Sequence, residues 1–259
     1  MQVYLHRPRQ LARVERGAVK KDPDTRHRET ATLETEITRG QKIGIELACP
    51  ALQIAEPRQE LAWRGEPAVC SFVVGLPAAA AGRSHTLRVR VLIEDMPIGR
   101  LTFALRVAAP EAALDDAPRI QGIDATRYRY AFLSYSSADR VEVLKNARLL
   151  RALGIDFFQD LLSLEAGQEF EPKLFAEIDR CDLFLLFWSK TAAASDWVIR
   201  ETEHALERQA NSGDEAPEIK PIILEGPPVP RPPPALGHMH FNDYINYVIA
   251  GIESAQRPS

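Results

Sequence analysis

The sequence predicts a doubly wound, parallel α/β sheet in the C-terminal half, preceded by an all-β, sandwich-like N-terminal half. Three observations carry that prediction. After about residue 127, short apolar runs without alternation, YAFLS at 130–134 and LFLLFW at 183–188, take turns with stretches of helical period. Before residue 108, apolar and polar residues alternate at period two between closely spaced turn signals. Between the two patterns, AAPEAALDDAPR at 108–119 holds Pro110 and Pro118 and no periodic hydrophobicity, as a connecting segment would. The expected division is a β domain over 1–110, a linker over 111–126 and an α/β domain over 127–255.

In the first domain the half-buried strands are read from Ile43, Ile45 and Leu47, from Leu87, Val89, Val91 and Ile93, and from Leu101, Phe103, Leu105 and Val107. Turn signals fall at Gly40, Pro57, Gly65, Pro77, Gly82 and the run Met96-Pro97-Ile98-Gly99, a spacing that suits an antiparallel sandwich of about seven short strands. Trp63 is expected in the core and His85 at a turn. Val3-Tyr4-Leu5 alternates briefly. Residues 7–28 carry 8 basic and 3 acidic side chains and read as a solvated arm, with an anionic partner as the alternative.

In the second domain, residues 130–134 give a strand buried on both faces. Val141, Leu144, Ala147, Leu150 and Leu153 recur at helical spacing, and Gly154 supplies the stop. A second strand is expected over 155–158, a helix over 171–179 with Pro172 in its first turn, and a third strand over 183–188. Ser195 or Asp196 caps a helix running to about Gln209. A fourth strand over 219–224, a proline-rich connection, a short strand at 239–241 and an amphipathic helix over 243–252 complete a sheet of five parallel strands with right-handed crossovers.

Composition narrows the function classes. The chain has 259 residues, 45% hydrophobic and 26% charged, which fits a folded protein with one large core or two smaller ones. No apolar run approaches the roughly 18 to 20 residues of a membrane-spanning helix. The N-terminus MQVYLHRPRQ lacks an apolar signal core, so a cytoplasmic location is expected. Cys49, Cys70 and Cys181 form no Cys-x-x-Cys pair and read as buried thiols. Residues 1–115 hold 17 Lys and Arg against 14 Asp and Glu, or +3; residues 116–259 hold 15 against 22, or −7. That balance does not suggest a nucleic-acid partner. His204, His238 and His240 lack the partners of a zinc site, so no metal is expected. Neither the Gly-x-x-x-x-Gly-Lys-Ser/Thr nor the Gly-x-Gly-x-x-Gly phosphate loop is present.

Several segments of the second half together resemble the TIR (Toll/interleukin-1 receptor) domain family, over Arg127 to about Ala255. Tyr130-Ala131-Phe132-Leu133-Ser134-Tyr135-Ser136, followed by Ala138-Asp139, is similar to the family's first box. Cys181-Asp182 through Trp188-Ser189 is similar to its central strand. Ser195-Asp196-Trp197-Val198-Ile199-Arg200-Glu201 carries the Trp-x-x-x-Glu spacing, which puts an aromatic ring and a carboxylate one helical turn apart. Within the family the chain most resembles the NAD-cleaving bacterial TIR proteins and the animal axon-degeneration TIR NADase. It lacks the Arg-Asp-x-x-Pro-Gly type loop of the animal receptor adaptors and has Phe241-Asn242 where many receptors have Phe-Trp.

The resemblance implies a flavodoxin-like sheet and an NAD+ glycohydrolase that yields ADP-ribose or a cyclic isomer, in prokaryotic immunity or antiphage defence. NAD+ is then the substrate and no cofactor is required. Glu201 is implied as the catalytic carboxylate. Ligands of doubly wound sheets lie outside the carboxyl ends of the strands, so Ser134, Tyr135 and Ser136 are expected to line the crevice, with Asp160, Leu164, Glu165, Gly167 and Phe170 bordering it from the loop after the second strand. Trp188 is expected to stack on the nicotinamide or adenine ring, and Trp197 to touch ligand or to pack helix against sheet. Self-association through TIR domains is implied, and an unidentified ligand or protein would engage the N-terminal β domain. The alternative is a non-enzymatic scaffold that only recruits other TIR domains.

Overall fold

A computed structural model of the chain describes residues 1–21, 30, 32–33, 35–107, 119–159, 170–213, 216–226 and 228–231, without the side chains of 119–124, 159 and 170. It divides into two compact units, Met1–Arg127 and Tyr128–Ser259. The first unit begins with β1 (Gln2–Leu5) and helix α1 (Leu11–Lys21). Its further strands are β2 (Lys42–Ala48), β3 (Gln53–Ala55), β4 (Arg58–Ala62), β5 (Ala68–Ser71), β6 (Val73–Gly75), β7 (Ser84–Ile93), β8 (Met96–Arg106) and β9 (Arg119–Arg127).

These strands form a five-stranded sheet in the order β4-β2-β7-β8-β9 and two ribbons, β1-β5 and β3-β6, with every pairing antiparallel. The alternating residues do build the core: Ile43, Ile45, Leu47, Leu87, Val89, Phe103 and Trp63 are buried. The opposite face is less polar in its surroundings than alternation implies. Glu46, Arg90 and Arg100 follow one another across β2, β7 and β8 and are buried too. There the Glu46 carboxylate accepts from Arg90 and, at 3.4 Å, from Arg58, so the buried Glu46 and Arg90 charges are met by opposite ones.

Three features of this unit differ from the sequence reading. The basic segment expected as a solvated arm holds α1, whose Val14 and Ala18 are buried, one turn apart, while Arg13, Arg16 and the terminal lysines stay at the surface. The expected turn at 96–99 lies inside β8. The reversal occurs one step earlier, at Glu94 and Asp95, both at positive φ as a two-residue hairpin loop requires. Pro97 is accommodated beside the register shift of the β7-β8 ladder, and Gly99 is needed because a Cβ there would lie 2.6 Å from the Thr126 carbonyl oxygen. Finally, residues 119–126, expected within the linker, and Arg127, expected to open the α/β domain, form the edge strand β9 and pair with β8 from Arg106↔Arg119 to Gly99↔Arg127.

The second unit contains β10 (Tyr130–Ser134), α2 (Arg140–Ala152), β11 (Asp156–Gln159), α3 (Phe170–Arg180), β12 (Leu183–Trp188), α4 (Lys190–Ala193), α5 (Asp196–Asn211) and β13 (Glu218–Ile223). Four strands lie parallel in the order β11-β10-β12-β13. The fifth strand expected at 239–241 and the helix at 243–252 fall outside the described residues. β12 is apolar throughout, and β10 is apolar up to its last residue, Ser134, because both strands are buried; Phe132 stacks on Phe158 and Phe184 at 5.6 and 5.5 Å between ring centres. Gly154, at φ 69°, ends α2 as expected.

The chain leaves β10 toward β11 on one side and returns to β12 on the other. The strand order therefore reverses between β10 and β12, and the carboxyl ends of these two strands are where doubly wound sheets bind their ligands.

Candidate active site

β10 ends at Ser134, and its two ladders fix the backbone there: Leu133 pairs with Gln159 of β11, and Ser134 with Leu186 of β12. α5 begins near this end of the sheet and runs back to the amino-terminal edge, where Arg208 donates to the carbonyls of Ile178 and Cys181. Ser195 caps the helix, its hydroxyl accepting from the Val198 amide at 3.4 Å. Val198, Thr202, Ala205 and Leu206 bury the face turned to the sheet, and Glu201 belongs to the same face. The residue is only 7% exposed. The Ser134 hydroxyl, wholly enclosed, donates to Glu201 Oε2 at 2.5 Å. A buried carboxylate is costly unless hydrogen-bonded, so the sequence places a donor where the carboxylate needs one.

A second set of bonds joins the loops that follow the two central strands. Asp139, at the end of the 3-10 turn Ser137–Asp139, accepts from the hydroxyls of Ser189 at 2.6 Å and Thr191 at 3.0 Å. Ser189 also caps α4, accepting from the Ala192 amide at 3.0 Å. These bonds fix the loop after β10 to the loop after β12 across the point where strand order reverses. Sequence reasoning quoted Asp139 and Ser189 only as parts of motifs. The signal available was a hydroxyl pair, Ser189 and Thr191, directly after an apolar strand.

The remaining expected residues divide. Tyr135 and Ser136 follow Ser134 at the strand end and are half-buried, Ser136 leading into the 3-10 turn without a side-chain capping bond. Trp188 does not line the crevice. It is completely enclosed among Phe184, Leu186, Val198 and Val229, and its indole N–H donates to the Pro230 carbonyl at 2.8 Å. A strand covered on both faces leaves its last aromatic in the core. Trp197, one turn before Glu201, is 41% exposed, with the Arg200 guanidinium 5.0 Å from its ring centre. Arg200 in turn pairs with Glu171 and lies 5.9 Å from Phe175. Asp160, Leu164, Glu165 and Gly167 lie outside the described residues; Phe170 opens α3, its side chain likewise outside them. Among the described residues no three His, Cys, Asp or Glu side chains come together as a metal site would require.

Three groups with displaced titration, Tyr130, Cys181 and Asp182, lie at the opposite, amino-terminal edge of the sheet. Burial holds the Asp182 carboxyl above the ordinary carboxylate range, although it accepts from the amides of Arg129 at 2.7 Å and Tyr130 at 3.0 Å. Burial pushes the Cys181 thiol up to about 12, and burial with the Glu177 bond pushes the Tyr130 hydroxyl up to about 12. These groups pin strand starts. The carboxyl edge instead offers one buried carboxylate, a ring of hydroxyls and the partly exposed Trp197. That set can stabilise a developing positive charge.

In comparison with known families, residues 131–255, from within β10 through the end of the described sheet and beyond, match the TIR domain family. No curated protein matches the chain.

Proposed function

The C-terminal half of the chain is a TIR domain, and from that premise we propose that the protein is an NAD+ glycohydrolase. The observation that carries this reading is the buried Glu201 carboxylate at the carboxyl end of β10, in the Trp-x-x-x-Glu spacing that resembles the NAD-cleaving members of the family. The TIR family includes both interaction modules and NAD-cleaving enzymes, and an enclosed carboxylate at the switch point has no evident use in a module that only docks.

The chemistry asks little of the protein. The bond between ribose C1′ and the pyridinium nitrogen breaks with its electron pair going to nitrogen, so nicotinamide leaves neutral and needs no proton. An oxocarbenium-like ribose remains, and a nearby carboxylate stabilises it. Water adds at C1′ and releases one proton to solvent, giving ADP-ribose; capture by a nucleophile of the same molecule gives a cyclic isomer. Glu201 is the group assigned to the ribose. A second carboxylate is unnecessary, unlike in glycosidases that must protonate a poor alkoxide leaving group.

Tyr135, Ser136 and Trp197 follow the same edge, and the resemblance assigns Asp160, Leu164, Glu165, Gly167 and Phe170 to bordering it. With −7 on residues 116–259, the pyrophosphate is assigned to backbone amides at helix N-termini or to a neighbouring chain. Self-association through TIR domains would complete the site, with the N-terminal β unit as sensor or assembly module and the protein acting in the cytoplasm in antiphage defence. The test is nicotinamide release by the full chain at low and high protein concentration. A chain that self-associates by light scattering yet releases no nicotinamide is the scaffold instead.

A further inference from the structure

Ser134 stands where a crevice-lining residue would stand, at the carboxyl end of the central strand, but its side chain is closed off from solvent altogether. It therefore cannot touch a bound dinucleotide. Its hydroxyl has another use: the 2.5 Å bond to Glu201 Oε2 joins two enclosed side chains 67 residues apart in sequence. The two ends of that bond are held independently. Ser134 is fixed by parallel ladders to β11 and β12, and Glu201 by the apolar face of α5, with Val198 and Ala205 in the core on either side of it along the helix.

We infer that Ser134 is a positioning residue, whose hydroxyl holds the Glu201 carboxylate in one orientation and sustains its charge inside the sheet–helix interface. The inference rests on the proposed NAD+ cleavage. A carboxylate that must face an oxocarbenium-like ribose works by being ionised and fixed before the reaction begins. A hydrogen bond to a charged group contributes about 1.5–3 kcal/mol, equivalent to roughly 10- to 150-fold in rate or equilibrium. The benefit is realised as the ribose becomes cationic, so its loss lowers kcat and leaves KM nearly unchanged. A hydroxyl retained only for packing gives no such division.

The experiment uses the full chain as wild type, Ser134→Ala, Ser134→Thr, Glu201→Gln and the double variant Ser134→Ala/Glu201→Gln. Nicotinamide release is measured against NAD+ concentration, and urea midpoints are measured for all five. Expected are a kcat lower by about 10- to 100-fold in Ser134→Ala with KM within about twofold, substantial recovery in Ser134→Thr, and no further loss when Ser134→Ala is added to Glu201→Gln. An unchanged kcat in Ser134→Ala, or equal loss in the alanine and threonine variants, overturns the inference. Absence of turnover in the wild type refutes the NAD+ reading and leaves the urea cycle to decide this one. A lower midpoint for Ser134→Ala in the Glu201 background but not in the Glu201→Gln background upholds the coupling, and additive shifts overturn it.

Discussion

Replacing Trp188 with phenylalanine separates a core role from a ligand role. The indole is enclosed by Phe184, Leu186, Ala192, Val198 and Val229, and its N–H is bonded to the Pro230 carbonyl at 2.8 Å. Removing the five-membered ring leaves on the order of 40 Å³, which at about 24 cal/mol per Å³ costs roughly 1 kcal/mol. Loss of transfer free energy from the removed ring atoms adds about 1 kcal/mol. The Pro230 carbonyl loses its donor, at about 1–2 kcal/mol. The sum is about 3–4 kcal/mol, and an m-value of about 2 kcal/mol/M converts it to a fall of roughly 1.5–2 M in the urea midpoint of the second unit. Cys181 lies in the same cluster, so mapping its labelling by mass spectrometry follows that unit alone. Below the transition, KM for NAD+ is expected to stay within about twofold. A ring that stacked on nicotinamide or adenine contributes about 1–3 kcal/mol to binding. A KM raised tenfold or more with the midpoint unmoved would refute the core assignment.

Two further predictions concern ionisation. At about 12 against an ordinary 9.0, and fully enclosed, the Cys181 thiol carries about 1,000-fold less thiolate than a free cysteine at pH 8; alkylation is expected only on unfolding, and rapid labelling of native protein contradicts its placement. Asp182 titrates higher in the folded chain than in the unfolded one because burial disfavours its charge. The folded state thus binds the extra proton, and wild type gains stability relative to Asp182→Asn as pH falls through the raised folded value toward the unfolded one; urea midpoints of the pair across that range test the sign, and a relative loss on acidification contradicts it.

What the sequence disclosed and what it withheld follow from the range of each interaction. The strands β10 and β12 were legible because burial on both faces removes alternation, and α5 was legible from the cap at Ser195 or Asp196. The helix α1 was obscured by its charge. Only Val14 and Ala18 of its eleven residues are buried, and that short stripe is easily read as part of a basic arm. β9 follows a proline-rich, acidic stretch, which drew the boundary past Arg119 although Ile120, Ile123 and Ala125 stood in the sequence. Pro97 and Gly99 suggested a turn by composition, while the residues that turn are Glu94 and Asp95. For the candidate site, Glu201 was singled out through its motif. The Ser134 bond to it was not, since no local period reports a contact across 67 residues. Trp188 was misplaced for the related reason that an aromatic at a strand end can face the core or the crevice, and only the packing of α5 and Val229 over it decides.

The central claim is that Glu201 is the carboxylate that makes this TIR domain an NAD+ glycohydrolase, and its most direct test is nicotinamide release by concentrated full-length protein beside the Glu201→Ala variant. The account predicts steady release by the wild type and loss of at least about 100-fold in the variant, with the variant still folded and its urea midpoint distinct. Equal release by both proteins would contradict it.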